Sequence, residues 1–75
     1  MPRLPVLSGR EVAGALKKAG FSVAGQEGSH VKLRKWTPER AFTVIVPLHP
    51  ELARKTLASI LRQAGTSIQE LRRHL

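Results

Sequence analysis

The sequence predicts a small α+β domain of order α-β-β-β-α, a three-stranded antiparallel sheet with helices packed on one face and a short C-terminal helix. Three observations predict it. A capped amphipathic helix stands near the start, three short apolar runs follow (two with period-two alternation, the third β-branched), and two stretches with helical spacing come last. With 75 residues there is room for one domain, 1–75, whose core is modest.

Ser8-Gly9-Arg10-Glu11 is a capping box: the Ser8 hydroxyl takes the amide of the third helical residue and Glu11 reaches back to the cap. Leu7 and Val12 occupy the positions of the hydrophobic staple that accompanies such a box. Val12, Leu16 and Ala19 continue at helical spacing, Lys17 and Lys18 suit the negative end of the helix dipole, and Gly20 is a left-handed stop. The spacing predicts a helix over 9–19.

Phe21 to Ala24 alternates as a half-buried strand, and Gly25-Gln26-Glu27-Gly28 has turn chemistry. Ser29 to Trp36 alternates cleanly, with Val31 and Leu33 facing one way and His30, Lys32, Arg34 and Trp36 the other. Thr37-Pro38-Glu39-Arg40 is a turn with proline at its second position. Phe42 to Val46 is a β-branched third strand that Pro47 ends. Short gaps between the runs require antiparallel pairing. After a polar corner, Leu57, Ile60, Leu61 and Ala64 form the stripe of a second helix that Gly65 stops. Thr66 and Ser67 can cap a last short helix bearing Ile68, Leu71 and Leu75. The two main helices each have one apolar stripe, so they belong on one face of the sheet, leaving the other to solvent or a ligand.

Composition narrows the partners. Thirteen Lys and Arg against five acids give a net charge of +8. Such a field draws polyanions, either nucleic-acid phosphates or an acidic protein. No run is long and apolar enough for a membrane span, and the opening Met-Pro-Arg-Leu-Pro lacks the apolar block of a signal peptide. The chain has no Cys, which excludes disulfides and thiolate metal sites. A cytoplasmic location is therefore expected.

His30 is the first candidate for chemistry. It follows the Gly28-Ser29 turn, where backbone lets a ligand approach closely, and shares its strand face with Lys32 and Arg34. An imidazole moves protons at physiological pH, and the two cations suit charge on a phosphorane. The plain alternative is a surface His on a basic strand. His49, between Pro47 and Pro50, reads first as a stiff structural corner, with a second acid–base group as the alternative. His74 sits in the last helix among arginines and is expected to be inert. Lys55 and Thr56, beside Arg54 at the start of the second helix, suit a phosphate or an ordinary solvated face equally. Trp36 stands alone, so packing is its first reading, and its side of the strand leaves base stacking open. Scattered His and single carboxylates in turns offer no metal site, no cofactor motif appears, and no phosphate-loop signature is present.

Four segments in order carry a resemblance. Lys17-Lys18-Ala19-Gly20-Phe21, Gly28-Ser29-His30 entering a basic strand, Val46-Pro47-Leu48-His49, and Thr56-Leu57 through Ile60-Leu61 to Gln63-Ala64-Gly65 together resemble the HicA family of toxins. The likeness runs from about Ser8 to Leu71. It implies a fold like the double-stranded-RNA-binding domain and a metal-independent endoribonuclease that cleaves mRNA and halts translation. It further implies His30 as catalytic residue and a HicB-type antitoxin as protein partner, while the residues themselves offer Ser29, Lys32, Arg34, Lys55 and Thr56 as RNA contacts. One departure stands out: the family often has Gly where this chain has Lys55. Two rival readings keep the same fold, a non-catalytic RNA-binding module and a basic protein-interaction module.

Overall fold

The structure, a computed structural model, describes residues 4–75; Met1 to Arg3, in the opening on which the expectation about a signal peptide rests, lie outside the described residues. The element order is α1 (Gly9–Lys18), β1 (Ser22–Glu27), β2 (His30–Trp36), β3 (Ala41–Pro47), α2 (Arg54–Ala64) and α3 (Ile68–Arg72). The sheet is antiparallel in the order β1-β2-β3. This is the α+β arrangement the sequence predicts.

At the start of α1 both capping-box bonds form: Glu11 N donates to Ser8 Oγ at 3.0 Å and Ser8 N to Glu11 Oε1 at 2.9 Å. Leu7 and Val12 are both buried, as a staple requires. The helix ends one residue earlier than predicted, with Ala19 as its cap. Gly20 takes φ +105°, its N–H reaches Lys17 O at 3.1 Å, and Phe21 N reaches Leu16 O at 2.9 Å. This pair of bonds is a Schellman stop, and its accompanying hydrophobic contact explains why Phe21 is buried.

The first strand departs from expectation. Phe21 belongs to the helix stop rather than to β1, and every residue of β1 is exposed, because this edge strand lies outside the cover of the helices. Gly25, Gln26 and Glu27, predicted as turn, pair with β2 instead. The loop needs only Gly28 and Ser29, with φ +58° at Gly28 and no positive φ at Ser29, the requirement of a type II′ hairpin. A bulge between Val23 and Gly25 absorbs the extra residue.

Strands β2 and β3 keep unbroken register from His30↔Pro47 to Trp36↔Ala41. Their alternation is sharp over the part nearest His30, where Val31, Leu33, Val44 and Val46 are buried while His30, Lys32, Thr43 and Ile45 are exposed; toward the turn Arg34, Lys35, Ala41 and Phe42 are half-buried and Trp36 is exposed. On the buried face α1 packs on β2 and β3, α2 on β3, and α3 on α1. One apolar cluster joins these strand residues to Val12, Leu16, Leu57, Ile60, Ile68 and Leu71. Burying each large member contributes roughly 1.5–3 kcal/mol before entropy is counted. Leu75, predicted to join the last helix's apolar stripe, stays half exposed beyond the end of α3.

Helix α2 fixes the outer edge of β3. Gln63 Oε1 accepts from Ile45 N at 3.2 Å, and Gly65, at φ +65°, lies against Phe42. The helix thus runs antiparallel to β3 and begins near its Pro47 end. There α1 closes the corner: Gly9 N donates to His49 O at 2.9 Å, and a Cβ on Gly9 would collide with the Pro47 carbonyl.

Candidate active site

His30 opens β2 directly after the hairpin loop, and strand pairing sets its surroundings. Its cross-strand neighbours are Glu27 on β1 and Pro47 on β3. Ser29 fixes the approach through its carbonyl, which accepts from Leu48 N at 2.6 Å. That bond carries the β2–β3 ladder one step past Pro47 and delivers His49 to the same end of the sheet. The His30 and His49 rings lie 6.4 Å apart between centroids at 74°, edge to face. Both side chains are exposed. His49 thus has two separate duties, since its carbonyl holds Gly9 while its imidazole stands beside His30. Its carbonyl meets the corner reading, and its ring stands where the acid–base alternative needs it.

From His30 the outer face of the sheet extends along β2 as Lys32, Arg34 and Trp36. Lys32 is opposite Ile45, and Arg34 is opposite Thr43, to whose Oγ1 it donates from Nε at 3.2 Å. The Arg34 guanidinium carbon is 5.9 Å from the centre of the Trp36 ring. That ring is 75% exposed, so packing is not what occupies it. Next to His30 lies a shallow open hollow of about 510 Å³, bounded by Gly25, Gln26, Glu27, His30, Lys32 and Ile45. The bulge in β1 and the missing side chain of Gly25 make the room, and nothing stands within 4 Å of where a Gly25 Cβ would be.

The structure brings together Ser29, His30, Lys32, Arg34 and His49 at one end and along one face of the sheet. Lys55 and Thr56 stand apart from that hollow. Lys55 lines a different depression with Leu4, Arg54 and Ala58, and Thr56 is half-buried. Ala53 supplies no side-chain cap, so the first amides of α2 lack that partner. His74 is half-buried at the opposite end of the chain's path, lining a cleft with Phe21 and Phe42. Lys35 turns to the helix side and donates from Nζ to Ala19 O at 2.9 Å, a cation at the negative end of α1.

Sequence reasoning misses Glu27, assigned to a turn but placed across from His30, and Gln26, whose Nε2 braces the loop by donating to Gly28 O at 3.3 Å. Gly28-Ser29 between alternating runs carries the signal, since a two-residue loop draws both preceding residues into pairing. Among the described residues no group of three or more His, Asp or Glu stands close enough to hold a metal ion. No helix of the described residues is long and apolar enough to cross a membrane.

No curated protein matches this chain. The family model of the HicA toxin of bacterial toxin–antitoxin systems matches residues 9–66, which takes in all of α1, the Gly28-Ser29-His30 loop, the His49 corner and the Gly65 stop. The chain therefore belongs to the HicA toxin family, and its role is that of a toxin held in check by an antitoxin.

Proposed function

We propose that this toxin is an endoribonuclease that cuts mRNA in the cytoplasm without a metal, with residues 1–75 acting as one catalytic domain and His30 as its catalytic side chain. The observation that carries the reading is the His30–His49 pair at the head of an open cationic face. RNA supplies its own nucleophile. An imidazole takes the proton of a 2′-hydroxyl, the 2′-oxygen forms a bond to the adjacent phosphorus, and the bond from phosphorus to the 5′-oxygen breaks. A protonated imidazole gives its proton to that leaving oxygen. The products are a 2′,3′-cyclic phosphate and a free 5′-hydroxyl, so no water or cofactor enters the step. His30 takes one of the two proton transfers, and Lys32 offsets the charge that builds on phosphorus. Arg34 and Ser29 hold flanking phosphates, and Lys55 with Thr56 meets the RNA farther along, at the end of the sheet where α2 begins.

A HicB-type antitoxin covers this face in the resting cell, and an acidic surface is what would compete with RNA for it. The rival in which the chain binds RNA without cutting it separates cleanly in one experiment. Purified protein is incubated with mixed mRNA in the presence of chelator, and wild type is compared with His30→Ala. The expected result is cleavage that falls by about 10²–10⁴-fold in the variant while RNA binding persists. Binding without cleavage by either protein establishes the non-catalytic module. Neither binding nor cleavage at low salt leaves the basic face to a protein partner.

A further inference from the structure

We propose that the exposed face of the sheet is a track for single-stranded RNA, in which one base stacks on Trp36 and the strand runs along β2 to bring its phosphate to His30. The proposal rests on the nuclease reading above and deepens it by naming the form of the substrate and the residue that sets its register.

Four features lead there. Trp36 is 75% exposed, at the far end of the row that His30 begins. Six residue steps at about 3.3 Å place the two about 20 Å apart, a span of a few nucleotides in an extended strand. Between them the face presents Lys32 and Arg34, and the opposing β3 positions are Thr43, Ile45 and Pro47, none of them acidic. The nearby acids lie at the two ends, Glu27 across from His30 and Glu39 in the turn after Trp36, and not along the row between them. Arg34 already approaches the Trp36 ring at 5.9 Å and uses Nε on Thr43, which leaves the terminal N–H groups of its fork for a phosphate. The open hollow beside His30 and Lys32 has room for the base flanking the cut.

The form of the RNA follows from the aromatic ring. A stacking platform needs a base whose π-face is free, and bases inside a duplex are already covered by their neighbours. A duplex contacts proteins through its backbone and 2′-hydroxyls and has no use for an indole. An acidic protein would satisfy Lys32 and Arg34 as well, but it gives no reason for a flat aromatic surface in line with the catalytic imidazole.

The chain has a single Trp, so its intrinsic fluorescence reports Trp36 alone. The His30→Ala protein, which binds without cutting, is titrated with a mixed-sequence single-stranded oligoribonucleotide and with a duplex of equal length. The single strand should quench the emission saturably and the duplex should not. Trp36→Ala should weaken single-strand binding by roughly tenfold or more, the usual effect of losing a stacked base. Trp36→Phe should recover most of it. Because the ring is exposed, neither substitution should lower Tm. Unchanged emission together with unchanged affinity of Trp36→Ala overturns the track, and equal quenching by duplex overturns the single-strand assignment. If Trp36→Ala instead escapes the antitoxin while binding RNA normally, the face belongs to the protein partner. Each of these outcomes leaves His30-dependent cleavage standing, so the track and the nuclease reading fail separately.

Discussion

At the scale of the residue, His49 repays the closest attention because its backbone and ring act apart. The carbonyl accepts from Gly9 N, while the imidazole lies 6.4 Å from that of His30. A side-chain substitution keeps the first and removes the second. His49→Ala should therefore leave the unfolding free energy within about 0.5 kcal/mol of wild type, as for other surface changes. It should lower kcat/KM by about 10²–10⁴-fold if the ring handles the second proton. The pH profile adds a readout that packing would not move: the wild type should be bell-shaped, and His49→Ala should lose one limb. Unaltered kcat/KM and an unaltered profile would return the ring to a structural role. The sequence alone places His30, Lys32 and Arg34 on one face, because strict alternation survives wherever a ladder is unbroken. It leaves His49 undecided, since its position depends on the Leu48 N to Ser29 O bond, a contact between distant segments that no local pattern encodes.

At the scale of the element, the stops are as informative as the stripes. Gly20 and Gly65 both adopt positive φ and end their helices by paired bonds to the last turn. Gly65 carries a second constraint, because a Cβ there would fall 2.5 Å from Phe42 Cε1. Gly65→Ala should cost at least the roughly 1–2 kcal/mol of a left-handed L-residue, and more for the displaced ring. Thermal or urea unfolding measures it; a loss below about 0.5 kcal/mol would mean that Phe42 and the backbone give way freely. Helices with caps, stripes and glycine stops were legible from composition and spacing because all those signals are local. The first strand was not. Its apparent alternation began with Phe21, which is buried by the helix stop, and its true pairing depends on a bulge and a minimal loop. An edge strand with both faces wet has no burial pattern to display.

At the scale of the whole molecule, the body is flat, 31 × 30 × 18 Å in extent, with a net charge of +8 on the chain. Helices occupy one broad side, and the other is the open sheet. If Lys32, Arg34 and Lys55 each meet a phosphate, the logarithm of the binding constant for single-stranded RNA should fall against the logarithm of salt with a slope near −2. Lys32→Ala should reduce that slope by about 0.7. A slope close to zero would remove phosphates from the interface. The Gly9–His49 tie has a further consequence in time. The tie joins a residue near the start of the chain to one about two-thirds along it, and the two imidazoles meet only after β3 has paired with β2. During synthesis, a chain that has not yet reached residue 49 carries the Gly28-Ser29-His30 loop without its companion ring. If the His49 ring carries one of the two proton transfers, a toxin built this way is unarmed while it is being made, and a fragment cut short before the corner stays so.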